Sequence, residues 1–371
     1  MRLLINLFVM FFLIASQCLG ATPKTIRKGT ISKIDQFIQQ QLQQQKVVGC
    51  AIAIVEQGKV VFIKSYGVLK KGKKAPVTNS TLFQLGSISK SVTATLVARL
   101  VKLQRLHLEM SATNFFPAMP DQATLRHILS HSTGYRRTLW NQKIEAGIPR
   151  IILLQELAQG EKTAPGLTFD YHNLAFSLVE DAIANIEKTP FAEVMKTALL
   201  TPLGMTNTTI GNGDFAHMAN FAWPHQKNDK QVIYPSKTYS CNYHKSVCAS
   251  GGINSTVKDM AIFLRLQLGN FPDFLSTENL SVFHAPQIET MDALKWLRIN
   301  SKESIKSYYG LGWRSLDYGQ EHIVFHGGWL KGFTNFLAFI PSQKIGIVVL
   351  NNSEGNFAQK VAFTFFDLIK E

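Results

Sequence analysis

Val324-Phe325-His326-Gly327-Gly328-Trp329-Leu330-Lys331-Gly332-Phe333 is an apolar strand that runs into a turn, with two adjacent glycines inside it. Glycine weakens a strand interior, so such a pair marks a place where another backbone or a ligand comes close. Working outward, residues 322–328, 335–341 and 345–351 predict three consecutive strands, followed by a helix from about 357 to 369. The start of the chain mirrors this end. Ile31, Ile34, Phe37, Ile38 and Leu42 share one helical face, and residues 47–56 and 60–68 form a hairpin turning at Gln57-Gly58. Two strands at the front and three at the back predict one antiparallel five-stranded sheet flanked by the terminal helices, an α+β fold.

The middle of the chain has another texture. Residues 150–157, 174–186, 191–200 and 257–268 carry helical periodicity and are broken by Gly/Pro/Asn loops. Residues 106–306 are therefore expected to form a mainly helical domain inserted into a sheet domain made of 21–105 and 307–371. A cleft between two such lobes is a common place for a small-molecule site.

Residues 1–20 have the form of an export signal: Arg2, an apolar run over 7–15, and small residues around Cys18-Leu19-Gly20-Ala21. The run is too short to span a bilayer, so its removal predicts an exported chain, periplasmic or secreted, without a stable membrane span. The remaining chain of about 350 residues is long enough for large cores and about two domains. With 46% hydrophobic and 17% charged residues it reads as globular and not disordered. The net charge is +14, or +13 once Arg2 has left, and much of it is local, as in Lys70-Lys71-Gly72-Lys73-Lys74. That run reads as a solvated loop, and no nucleic-acid motif accompanies it. Three cysteines survive processing. Cys241 and Cys248 are close enough for a disulfide in an exported protein, whereas Cys50 sits in an apolar strand and is expected to be buried. Their spacing matches no zinc pattern.

Chemistry concentrates in three clusters. In Phe83-Gln84-Leu85-Gly86-Ser87-Ile88-Ser89-Lys90-Ser91, Ser87 and Lys90 lie three apart and share a helical face. Lys90 is the only charged residue between Lys74 and Arg99, and the helix continues with Val92, Leu96, Val97 and Leu100. A lysine held in apolar surroundings favours its neutral amine, which can accept a proton from a hydroxyl. The second cluster is Pro165-Gly166-Leu167-Thr168-Phe169-Asp170-Tyr171-His172-Asn173, a turn into a helix with Tyr171 and Asn173 at its entrance. The third is His326-Gly327-Gly328-Trp329, where a substrate backbone is expected beside the glycines. A free N–H just beyond them can form half of an oxyanion hole with the N–H of Ser87.

In order and spacing the three clusters resemble the serine hydrolases that comprise class C β-lactamases, low-molecular-weight penicillin-binding proteins (DD-peptidases) and related esterases. The shared pattern is Ser-x-x-Lys, then Tyr-x-Asn, then Lys/His-x-Gly on a late strand. Leu125-Arg126-His127-Ile128-Leu129-Ser130-His131-Ser132-Thr133-Gly134-Tyr135, Pro202-Leu203-Gly204-Met205-Thr206-Asn207-Thr208, Ser250-Gly251-Gly252-Ile253-Asn254-Ser255-Thr256 and Tyr309-Gly310-Leu311-Gly312-Trp313 agree with it. The resemblance implies a β-lactamase/transpeptidase-like fold and an acyl-enzyme on Ser87, with Lys90 and Tyr171 sharing the proton work. It also implies that Asn173, His326, Gly327 and Gly328 bind substrate and that the Ser87 and Trp329 N–H groups hold the oxyanion. His127 and His131 are spaced as a metal pair would be, but in this family the stretch is structural, and neither metal nor cofactor is expected. One departure is informative: His326 stands where class C β-lactamases carry lysine, and a histidine is mostly neutral near pH 7. Bulky Trp329 replaces the serine usual in β-lactamases. These features are similar to the DD-peptidases and esterases, so β-lactam, D-Ala-type peptide (including peptidoglycan peptides) and ester substrates all stay open. The alternative is a catalytically silent penicillin-binding or scaffold protein of the same fold.

Overall fold

The structure, a computed structural model, describes residues 26–27, 29–44, 46–136, 140–211, 218–230, 232–237, 242–297 and 305–370. The export signal over 1–20 and Cys241, with its expected bridge, lie outside the described residues. The helices that frame the site are α1 (Thr30–Gln43), α2 (Ile88–Lys102), α3 (Asn173–Phe176), α4 (Leu178–Glu187), α5 (Val257–Gln267) and α6 (Phe357–Lys370). The strands of the main sheet are β1 (Gly49–Glu56), β2 (Lys59–Gly67), β3 (Ile288–Glu289), β4 (Ser307–Tyr309), β5 (Arg314–Tyr318), β6 (Glu321–Leu330), β7 (Phe333–Ile340) and β8 (Ile345–Asn351). They order as β2-β1-β8-β7-β6-β5-β4-β3, antiparallel throughout.

The N- and C-terminal parts of the chain meet inside this sheet, one strand in from its β2 edge, where β1 pairs with β8 from Cys50↔Asn351 to Glu56↔Ile345. The hairpin β1–β2 turns at Gln57 (φ 46°) and Gly58 (φ 80°), two left-handed residues whose twist suits a two-residue loop. Strand β1 is buried on both faces, and its alternation sorts the side chains by size. Ile52 and Ile54 pack with Ile34 and Ile38 of α1 and with Phe357, Val361 and Phe365 of α6. Ala51 and Ala53 belong to the other core, with Val92 and Leu96 of α2. Small residues on that face let the central helix approach. Cys50 is fully buried, as its strand context predicts.

The sheet has eight strands, not the five expected. The three additional strands, β3, β4 and β5, are two to five residues long and carry no readable alternation, as in Arg314-Ser315-Leu316-Asp317-Tyr318. Backbone pairing, and not side-chain pattern, makes them strands. Strand β3 comes from the helix-rich middle of the chain and forms the far edge of the sheet.

Helix α2 runs through the core and buries residues on every side, including Ser89, Lys90, Ser91, Thr93 and Thr95. The hydroxyls find partners in the segments around them, as buried polar groups must. Ser91 donates to the Gly312 carbonyl (2.8 Å), Thr93 to the Ala249 carbonyl (2.9 Å), and Ser89 accepts the Ile253 N–H (3.0 Å). These bonds fix α2 against the pieces of chain that build the site.

Candidate active site

Ser87 caps the N-terminus of α2 with helical backbone angles. Gly86 before it has φ +57°, and a methyl group there would lie 2.9 Å from the Trp329 nitrogen. The turn ahead of the helix thus lies directly against the backbone of β6. On that strand Gly328 faces inward: a Cβ would meet the Leu85 carbonyl at 1.9 Å. The two glycines differ in their surroundings. Gly327 lines the cavity, while Gly328 makes room for the chain leading to Ser87. Gly86 and Gly328 together let the turn before Ser87 lie against the backbone of β6 at Trp329.

Lys90, one turn into α2, is fully buried. Its Nζ donates to Asn173 Oδ1 (2.6 Å) and to the Ser250 carbonyl (2.9 Å) and lies 3.3 Å from Ser87 Oγ. The Tyr171 ring centroid is 4.6 Å away. Burial, assisted by the Arg314 guanidinium, holds the ammonium well below its ordinary pKa and favours the neutral amine. Asn173 is free for this contact because His172, not Asn173, caps α3: His172 Nδ1 accepts the Ala175 N–H at 3.2 Å. The Asn173 amide donates in turn to Asn141 Oδ1 (2.8 Å).

His326 lies on the cavity wall, almost fully buried. Its Nδ1 donates to the Gly327 carbonyl (2.8 Å), which leaves Nε2 to accept from Tyr309 Oη (3.1 Å). Burial, with Arg314 and Lys90 nearby, pushes its pKa well below the ordinary histidine value, so the ring is neutral. Arg314 supplies the positive charge instead. It pairs with Asp292 (2.9 Å) and stacks 5.0 Å from the Tyr171 ring centroid and 5.4 Å from that of Tyr309. Its side chain is only 8% exposed, and among the described residues nothing accepts from its Nη1.

The cavity is about 440 Å³ and is lined by Ser87, Asn141, Tyr171, Asn173, Tyr243, Asp292, Arg314, His326, Gly327 and Trp329. The structure therefore brings together Ser87, Lys90, Tyr171, Asn173, His326 and Trp329, drawn from sequence positions 240 residues apart. Sequence reasoning passed over Arg314, Asn141 and Asp292. For Arg314 a signal existed, since it is the only charged residue between Lys306 and Asp317, the criterion that singles out Lys90. The two histidines of the Leu125–Tyr135 stretch serve different ends: His127 Nδ1 contacts Thr124 (3.0 Å), and His131 Nδ1 accepts the His172 N–H (3.1 Å).

A buried lysine, a helix-capping serine, a tyrosine and an asparagine in this arrangement can activate a hydroxyl for attack on a carbonyl. The family model for Beta-lactamase matches residues 34–365, nearly the whole described chain. The chain belongs to the Beta-lactamase family. Among the relatives of this Beta-lactamase family member is Protein flp of Staphylococcus aureus (strain NCTC 8325 / PS 47), 25% identical over 350 residues. That match covers 89% of this chain but 64% of the relative, so the chain spans under two thirds of its length. A Beta-lactamase of Escherichia coli (strain K12) is 23% identical, covering 84% of this chain and 85% of that one. The fold agrees with solved structures. The octameric penicillin-binding protein homologue from Pyrococcus abyssi superposes with a TM-score of 0.81 at 24% identity, over 92% of this chain and 77% of the other. A class C beta-lactamase gives 0.73 at 22% identity, over 91% and 96%. The β-lactamase/transpeptidase-like α+β fold of this Beta-lactamase family chain follows from these matches.

Proposed function

We propose that the protein is an exported serine hydrolase that works through an acyl-enzyme on Ser87 and prefers substrates bearing a carboxylate next to the scissile bond. One observation carries the chemistry: the desolvated Lys90 amine lies 3.3 Å from Ser87 Oγ, held there by Asn173 and the Ser250 carbonyl. Ser87 Oγ attacks the substrate carbonyl carbon while its proton passes to Lys90 and Tyr171, which titrate as a coupled pair. The oxyanion is held by the N–H groups of Ser87 and Trp329. The tetrahedral species expels its amine or alcohol, which takes the proton, and leaves Ser87 acylated. Water attacks the ester by the same route in reverse and frees the acid.

The substrate preference rests on Arg314. A neutral His326 does not attract an anion, but the Arg314 guanidinium that lines the same cavity has a permanent charge. That charge at the cavity wall favours a substrate that carries a carboxylate. This places a peptide ending in D-alanine or a β-lactam ahead of a neutral ester, and a peptidoglycan peptide among the natural candidates. Export, read from residues 1–20, predicts a mature N-terminus near Ala21.

The test is a panel on the purified protein: nitrocefin, a D-Ala-D-Ala peptide and a short-chain p-nitrophenyl ester, each beside Ser87→Ala. Turnover of the anionic substrates that disappears in the variant is the expected result. Turnover surviving in Ser87→Ala, or none with any substrate and no penicillin adduct by mass spectrometry, overturns the proposal.

A further inference from the structure

The stretch Leu125–Tyr135 has no part in the chemistry above, yet one of its residues holds Tyr171 from three directions. The His131 carbonyl accepts the Asp170 N–H at 2.9 Å, and His131 Nδ1 accepts the His172 N–H at 3.1 Å. The two residues that flank Tyr171 are therefore tied to a single residue. The His131 ring lies 4.3 Å from the Tyr171 ring, centroid to centroid, with 34° between the planes. His131 is 2% exposed and has φ +57°, a conformation ordinary side chains avoid. Its ring is enclosed by Phe169, Phe176 and Tyr309 as well. Since Nδ1 accepts, the ring proton sits on Nε2, which is buried and bonds to no acceptor among the described residues. An imidazole held without a partner on one nitrogen suggests that the other nitrogen is what the site requires.

We propose that His131 is the positioning residue for Tyr171: its Nδ1, by accepting the His172 N–H, sets the phenol beside Lys90 and Ser87. The proposal rests on the reading of Tyr171 as half of the proton-transferring pair. Burial first, and then the Arg314 guanidinium, disfavours a second proton on His131, so the Nδ1 lone pair stays available while the site is assembled. Asn173 benefits from the same tie, because it follows His172 and opens α3.

Two substitutions separate acceptor from ring. His131→Asn keeps an acceptor at the same distance along the side chain and tolerates a left-handed backbone, whereas His131→Phe keeps the ring and loses the acceptor. With the substrate the panel identifies, His131→Phe is expected to lower kcat about 10- to 100-fold with KM nearly unchanged, as displacement of a reacting group does. His131→Asn is expected to stay within about fivefold of the wild type. In a Tyr171→Phe background the His131→Phe loss should vanish, since a residue acting through Tyr171 has nothing left to position. Should His131→Phe not fold, His131→Gln, whose acceptor sits one bond further out, takes its place. A folded His131→Phe with wild-type kcat, equal losses in the Asn and Phe variants, or a loss that persists beside Tyr171→Phe each overturns the proposal. Hydrogen exchange at the His172 amide, protected in the wild type and in His131→Asn but not in His131→Phe, tests the tie without turnover. Absence of Ser87-dependent turnover in the wild type would instead sink the hydrolase reading.

Discussion

The Lys90 amine is fully buried beside Ser87, which withdraws it from bulk solvent. Its three partners are two neutral oxygens and the serine hydroxyl, so nothing anionic stabilises an ammonium there. Arg314 sharpens that condition by its charge and adds a second function at the cavity wall. Replacing it with glutamine separates the two. Arg314→Gln should raise KM for an anionic substrate about 10- to 100-fold, the worth of a charge-assisted hydrogen bond. For a neutral p-nitrophenyl ester, kcat/KM should change little. Steady-state kinetics on both substrates checks this, and an equal loss on both would remove Arg314 as the carboxylate contact.

At the scale of elements, the site depends on how closely β6 approaches the turn before α2. Gly328 has no room for a methyl group, because the atom it would strike is a backbone carbonyl that cannot rotate aside. Gly328→Ala is expected to destabilise the fold by about 3 kcal/mol. Gly204, also left-handed at φ +76° but with open space around it, provides the contrast. Gly204→Ala should cost about 1 kcal/mol, the backbone penalty alone. Thermal unfolding of the two variants against the wild type measures the difference, and comparable losses would show that crowding is not the cause. Strand length explains what was legible here. The long strands β1, β6, β7 and β8 and the helices α1, α2, α5 and α6 announce themselves by periodicity. Strands β4 and β5 are three and five residues long, and they deliver Tyr309 and Arg314 to the site as a cross-strand pair. Missing the strands and missing those residues were one omission.

Across the whole molecule, the helical body is tied to the catalytic segment through Glu180 on α4. Its carboxylate accepts the Ala249 N–H at 2.7 Å, one residue before the carbonyl that holds Lys90. Burial raises the Glu180 pKa to about 7, against the opposing pull of Arg150 and of that N–H. A raised carboxyl pKa means that the folded state binds the proton more tightly than the unfolded chain. Its contribution to stability is therefore full below 4.5 and declines as pH rises towards 7. Glu180→Gln keeps an acceptor for Ala249 and removes the titration. Its stability should gain on the wild type between pH 4.5 and 7, by about 3 kcal/mol at neutral pH, and its melting temperature should rise with it. Thermal scans across that range check the sign, and a constant difference would exclude Glu180 as the titrating group.

The sequence by itself determined the framework of the long strands, the terminal helices, the buried helix that begins at Ser87, and the pairing of Ser87 with Lys90 on one face of it. Those features are local: periodicity, a lone charge in an apolar run, and residues three apart on one helical face. Only the tertiary structure decided that His172 and not Asn173 caps its helix, that Gly328 serves the Leu85 backbone, and that His131 holds Tyr171. Only it placed the cavity's permanent positive charge on Arg314, 12 residues before the histidine that departs from the β-lactamase pattern. Each of these depends on pairing between segments far apart in the chain, where register and burial, and not the identity of neighbouring residues, choose the partner.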